Sequence, residues 1–213
     1  ELINAAKSSG ARGVIFSNPC NPTSRGLLRD DILKIINGLP DVLIIVDEAY
    51  SDFFDGLSIL DKAREFDNVI VLKTCSKAFG LAAIRLGFAI ACKTLTSSLR
   101  AVKSPYNVNS LTAVAAETVL KHKDYLKKCA RKITEQRQKL AQILGQIGGI
   151  EVIESMTNFV FIKIKNAQDV QQKLQQKGIL IRHLGEYLRI NAGSDEEQKK
   201  FVDAFKIVFS GGN

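Results

Sequence analysis

Residues 74–87 read TCSKAFGLAAIRLG and set several reactive side chains close together. Lys77 stands beside the hydroxyls of Thr74 and Ser76, and Arg85 follows it by eight residues. An amine of this kind is the nucleophile of Schiff-base chemistry with a carbonyl compound. Hydroxyl donors with a planar, charged guanidinium suit a phosphate. Upstream, Asp47 closes an apolar run, and a carboxylate so placed can hold a protonated ring nitrogen. One small molecule carries an aldehyde, a phosphate and a pyridine nitrogen together: pyridoxal 5'-phosphate. The amide of Asn21 and the hydroxyl of Tyr50 suit its phenolic oxygen. Singly, each residue has a plainer reading. A lone lysine is usually a surface charge, and an Asn-Pro turn is usually only a turn. Asp47 and Glu48 can be solvated or cap the next element, and Arg85 can pair on the surface. The inference rests on their order and placement.

That placement needs a sheet. In open α/β sheets, ligands collect beyond the carboxyl ends of parallel strands. RGVIFS (12–17), the start of VLIIVDEAY (42–50) and NVIVLK (68–73) read as strands, with LGFAIAC (86–92) as a fourth. The second is apolar without alternation, as buried parallel strands are. LRDDILKIINGL has helical apolar spacing. Asn18 and Asn21 then follow the first strand, Asp47 ends the second, and Thr74, Ser76 and Lys77 follow the third. After residue 107 the texture changes to a long helical region with a break near Lys123–Asp124. GIEVIE and NFVFIKI read as strands, DVQQKLQQKG as a helix ending at Gly178, and GILIRHL and YLRINAG as strands. SDEEQKKFVDAFKIVF reads as a closing helix, with Ser194 and Glu197 as a capping box. The expected fold class is α/β: an incomplete large domain with a mostly parallel sheet and helices on both faces, plus a C-terminal α+β small domain. The expected domains are 1–108, the C-terminal part of a cofactor-binding large domain; 109–148, connecting helices; and 149–213, the small domain. ELINAAKSSG reads as the tail of a helix entering a strand, and the single methionine is Met156. An N-terminal region is therefore expected upstream of Glu1.

Composition excludes several classes. The 213 residues are 46% hydrophobic and 24% charged, enough for a real core. The net charge of +8 is spread along helical stretches such as KHKDYLKKCARKITEQRQK, which read as a solvated helix face. No aromatic stacking platform or recognition motif accompanies it, so no nucleic-acid partner is expected. Cys20, Cys75, Cys92 and Cys129 form no CxxC pair, and only two histidines are present, so no metal site is expected. Cys75 reads as a packing residue, His183 as a structural neighbour of Arg182, and Gly80 and Gly87 as turn and packing positions. No run of about 18 apolar residues occurs, so no membrane span is expected. The cysteine usage fits a reduced, cytoplasmic compartment.

The motifs NPCNPTSRG, VDEAYSDF, KTCSKAFGLAAIRLG and YLRINAG, in this order, resemble those of the fold-type I pyridoxal-phosphate aminotransferases (class I/II), and among them most of all the histidinol-phosphate aminotransferases. The resemblance covers essentially the whole chain. It implies that Lys77 forms the aldimine with the cofactor and later shuttles the proton. It implies that Asp47 pairs with the pyridinium nitrogen, that Asn21 and Tyr50 hold the phenolate oxygen, and that Thr74, Ser76 and Arg85 hold the phosphate. Arg189 takes the place of the arginine that grips a substrate carboxylate, with Asn21 beside the substrate. Arg182 matches a position facing a substrate phosphate. The implied reaction is transamination of histidinol phosphate with 2-oxoglutarate, or of a related amino acid, in a homodimer. A decarboxylase of a phosphate-bearing amino acid and a catalytically incomplete fragment are the alternatives.

The chain departs from the family pattern in two places. Ser24 stands where NPTG has glycine, which is tolerable if φ there is negative and strained otherwise. Ala83 stands where GLAG has glycine. A phosphate-binding turn, a stacking aromatic and a residue crossing from the partner subunit belong to the family's N-terminal third and have no counterpart in this sequence.

Overall fold

The apolar, β-branched runs build one sheet of four strands: β1 (Gly13–Ser17), β2 (Leu43–Asp47), β3 (Val69–Thr74) and β4 (Gly87–Ala91), in that spatial order. β1, β2 and β3 pair in parallel, and β4 runs antiparallel to β3. The register sets Ser17 beside Asp47 and Asp47 beside Leu72, so the parallel strands finish at one edge. In this computed structural model, which describes residues 1–210, the chain divides into two compact units. The first is Glu1–Cys20 with Gly26–Cys129, and the second is Asn21–Arg25 with Ala130 onward.

In the first unit, α1 (Leu2–Ser8) and α2 (Arg29–Gly38) pack on one face of the sheet. Ile32, Ile35 and Ile36 lie at helical spacing and close over Ile44, Val46, Val69 and Val71. α3 (Lys93–Val102) and α4 (Ser110–Lys121) follow β4. Sequence reading passed over α3. It carries four hydroxyl residues, which favour caps and turns over helix interiors, and it buries no residue fully. α4 starts at Asn109, whose side chain accepts from Thr112 N.

α5 (Lys123–Gly145) runs from the first unit into the second, after a break at His122. The second unit has an antiparallel sheet of β5 (Ile150–Ile153), β6 (Phe159–Ile164), β8 (Tyr187–Asn191) and β7 (Arg182–Leu184), in that order. β7 is shorter than GILIRHL suggests. α6 (Ala167–Gln176) and α7 (Asp195–Ser210) complete the unit. Side chains alternate across a strand. Val160, Ile162, Leu188 and Ile190 therefore share one face, and that face packs on Leu140, Leu144, Leu174 and Phe205. Phe159, Phe161, Tyr187, Arg189 and Arg182 share the other face by the same parity. The expected capping box is present: Ser194 N donates to Glu197 Oε2 at 2.7 Å, and Glu197 N to Ser194 Oγ at 3.2 Å. No helix among the described residues is long and apolar enough to cross a membrane.

Candidate active site

The first unit gathers most of the candidate side chains at the carboxyl edge of β1, β2 and β3. Asp47 is the last residue of β2, and its Oδ1 accepts from Ala49 N at 3.0 Å, which fixes the carboxylate in the turn. Its neighbour Glu48 is fully buried and turns away into the protein. Ser51 Oγ and Ser58 Oγ donate to Glu48 Oε2, and Ile59 N donates to Oε1 at 2.7 Å. Lys73 Nζ reaches the same network through Ser51 Oγ at 2.8 Å and pairs with Asp52 at 2.7 Å. This network sets the turn that carries Tyr50. The Tyr50 ring is buried, and Lys77 Nζ lies over it, 5.2 Å from the centroid.

The separation between Lys77 and Arg85 has a geometric reason. β3 and β4 are antiparallel neighbours, with Thr74 opposite Gly87, so the intervening residues double back. Cys75 N donates to Leu86 O and Leu81 N to Cys75 O, which ties the loop at its base. Thr74 Oγ1 donates to Leu86 O and accepts from Ser76 N. Arg85 takes φ 55, and its Nη1 donates to Ala82 O at 2.9 Å and approaches Ser76 Oγ at 3.4 Å. A guanidinium and a hydroxyl thus meet on the exposed side of the loop. Cys75 points inward and is fully buried, and burial pushes its thiol up, as suits a packing residue.

Asn18 and Asn21, both candidates by position, separate in role. Asn18 is buried; its Nδ2 donates to Leu27 O at 3.0 Å and its Oδ1 accepts from Leu27 N at 2.6 Å. It staples the two ends of the NPCNPTSRG loop. Gly26 lets the strands of the loop meet, because a Cβ there would stand 2.9 Å from Asn18 Oδ1 and 3.2 Å from Pro19 Cα. Asn21 belongs to the second unit and is exposed. Its Oδ1 accepts from Arg189 Nη1 at 2.7 Å.

In the second unit Arg189 lies over the Phe159 ring, 5.0 Å from its centroid. Arg182 is its direct cross-strand partner in the β7–β8 register. Like charges directly opposite on one sheet face are unfavourable, so the pair suits an anion. Ser24 does take the positive φ, 62°, and is fully buried. That conformation costs a residue with a Cβ about 1 kcal/mol. The turn is therefore strained, and its hydrogen bonds to Glu154 and Met156 hold it. Phe159 and Glu48 carry no signal in the sequence that marks them as neighbours of the candidate side chains. The DEAY doublet hid which carboxylate turns inward, and the partner of Arg189 lies 30 residues away in sequence.

The sequence matches the family described as aminotransferase class I and II over residues 1–205. It is 41% identical over 211 residues to the histidinol-phosphate aminotransferase of Clostridium novyi (strain NT), covering 97% of this chain and 58% of that one. It is 43% identical over 202 residues to that of Thermoanaerobacter sp. (strain X514), covering 91% and 56%. The chain thus spans less than two thirds of the length of these curated relatives. Among solved structures it is similar to the histidinol-phosphate aminotransferase from Sinorhizobium meliloti in complex with pyridoxal-5'-phosphate, with TM-score 0.91 and 26% identity over 99% of this chain and 60% of that one. The L-threonine-O-3-phosphate decarboxylase from Porphyromonas gingivalis matches with TM-score 0.88 and 26% identity, over 99% and 68%. Family match, fold and ordered motifs agree: the chain belongs to the class I and II aminotransferases.

Proposed function

We propose that this chain carries the lysine and most of the cofactor-holding side chains of a pyridoxal-phosphate-dependent aminotransferase, acting on histidinol phosphate with 2-oxoglutarate as amino acceptor. The observation that supports it most is the approach of Lys77 Nζ to the buried Tyr50 ring in the unit that also pairs Arg85 with Ser76. The donor set fits the cofactor: an amine, a phenol, a carboxylate, and a hydroxyl beside a guanidinium. Bound pyridoxal phosphate supplies the electron sink that lets an amino group leave one carbon skeleton and join another.

The chain's own residues divide the remaining work. Lys77 would hold the cofactor through its aldehyde and would serve as the base that holds and moves the proton at the substrate Cα. Asp47 keeps Oδ1 on Ala49 N, and its carboxylate would pair with the protonated ring nitrogen. A guanidinium only donates, so the oxygen of the Asn21 amide faces Arg189, and its Nδ2 would serve as a donor to a phenolic oxygen. Tyr50 donates to the same oxygen. Ser76, Thr74 and Arg85 receive the phosphate. Arg189 receives a carboxylate bidentately, and Arg182, opposite it, the anionic far end of the substrate. In the full-length protein the site lies in a homodimer.

The similarity to the Porphyromonas decarboxylase favours a second reading, decarboxylation of a phosphate-bearing amino acid, which needs the same anionic recognition. The shared length, under two thirds of the relatives, favours a third, a fragment that takes up cofactor without turnover. One assay separates them. The chain is loaded with pyridoxal phosphate and offered histidinol phosphate with 2-oxoglutarate, or threonine phosphate alone. Glutamate formation supports the transaminase, carbon dioxide release the decarboxylase, and covalent loading without either product the fragment.

A further inference from the structure

Within the second unit, Asn21–Arg25 is held at two points. At one, Asn21 Oδ1 accepts from Arg189 Nη1 at 2.7 Å. At the other, Ser24 O accepts from Met156 N at 2.8 Å, and the single proton of Ser24 Oγ is shared between Thr23 O at 2.6 Å and Glu154 O at 3.1 Å. Residues 154–158, which receive Ser24, are themselves fixed. Ser155 Oγ donates to Phe159 O at 2.6 Å, and the buried Arg137 donates from Nη1 to Thr157 O at 2.9 Å. Phe159 then carries Arg189 over its ring. The contacts close a circuit: Asn21 to Ser24 along the chain, Ser24 to residues 154–156, these to Phe159, Phe159 to Arg189, and Arg189 back to Asn21.

The conformation of Ser24 gives the circuit meaning. At φ 62 a glycine would be unstrained and a side chain is not. Strained residues persist where the surroundings over-determine them, and they gather at functional sites. Here the side chain adds what glycine lacks, a hydroxyl hydrogen bond to the Glu154 carbonyl.

We propose that Ser24 is a positioning residue whose hydroxyl and carbonyl lock Asn21–Arg25 onto residues 154–156, so that Asn21 holds the Arg189 guanidinium in one orientation for a substrate carboxylate. This rests on the reading above, that Arg189 receives a carboxylate. The lock acts through Asn21 and touches no reacting atom. It makes carboxylate affinity, and not stability alone, a property that depends on the Ser24 hydroxyl.

The test uses the chain without cofactor, with succinate as the carboxylate probe. Binding is measured by calorimetry, and Met156 amide exchange and thermal melting are followed in parallel. Ser24→Gly relieves the strain and removes the hydroxyl. It is expected to weaken succinate about fivefold and to speed Met156 exchange, with the melting temperature unchanged or raised. Ser24→Ala keeps the strain and loses the bond; it is expected to weaken succinate equally and to melt lower. Arg189→Leu is the control for the carboxylate grip and is expected to abolish binding. If wild type fails to bind succinate, or Arg189→Leu binds it equally well, the carboxylate reading falls and this inference with it. If binding needs Arg189 but Ser24→Gly binds as tightly as wild type, the positioning role alone is overturned.

Discussion

At the scale of single residues, hydrogen bonding separates chemistry from support. Asn18 and Asn21 have the same side chain and both follow β1, yet Asn18 spends its amide on the backbone of Leu27 while Asn21 offers its amide to Arg189. Asn18→Ala would leave the part-buried backbone N–H and C=O of Leu27 without these partners. The expected cost is about 2 kcal/mol in denaturant unfolding, whereas Asn21→Ala, at an exposed position, is expected to cost well under half of that. Glu48→Gln is expected to destabilise as well, by about 1–3 kcal/mol, because an amide nitrogen replaces one of the oxygens that now accept from Ser51, Ser58 and Ile59. Lys77, Asp47 and Arg85 are candidates by residue type and order alone. The inward turn of Glu48 was not legible, since adjacent residues after a strand point to opposite sides and the sequence does not say which side is interior. The strain at Ser24 was legible only as a condition on its φ, which the structure meets with a positive value.

At the scale of elements, periodicity found what burial enforces. β1, β2 and β3, α2, α5, α6 and α7 follow apolar spacing because each presents a face to a core. α3 is hard to read from sequence because its hydroxyl residues favour caps and turns and no residue of it is fully buried. β7 is clipped to Arg182–Leu184, and Ile179 and Ile181 before it pack on the core without joining the ladder. The antiparallel turn of β4 could not be read from composition, and it is what brings Arg85 back to Ser76. The capping box of α7 makes a pH prediction. Hydrogen bonds from the Ser194 backbone and side chain hold the Glu197 carboxyl below the ordinary glutamate value. A lowered folded value means the box contributes fully above the unfolded pKa and is lost as pH falls through the folded one. Melting temperature is therefore expected to drop between about pH 5 and pH 3 more in wild type than in Glu197→Gln. Equal slopes for the two proteins would remove the box from the stability of this helix.

At the scale of the whole molecule, two units have separate cores, one built on Ile32, Ile36, Ile44 and Val46 and the other on Leu140, Leu144, Ile162 and Phe205. Leu144→Ala opens a cavity in the second and is expected to cost about 2–5 kcal/mol there. Hydrogen exchange should then show the amides of β5, β6 and β8 losing protection while those of β1, β2 and β3 keep theirs. Loss spread evenly over both sheets would show that the cores unfold as one. The family and the α/β class were legible because four motifs recur in one order along the chain. The assignment of residues 21–25 to the second unit was not legible, because it depends on contacts with residues 154–156 and 189, far away in sequence.

The account turns on the amine of Lys77 meeting an aldehyde, and covalent trapping tests it most directly. The purified chain is incubated with pyridoxal 5'-phosphate, reduced with borohydride, digested and read by mass spectrometry. The expected result is a phosphopyridoxyl group on the peptide containing Lys77, lost in Lys77→Ala and reduced in Arg85→Ala. Label scattered over surface lysines, with Lys77 no more modified than the rest and Lys77→Ala taking up as much as wild type, would contradict it.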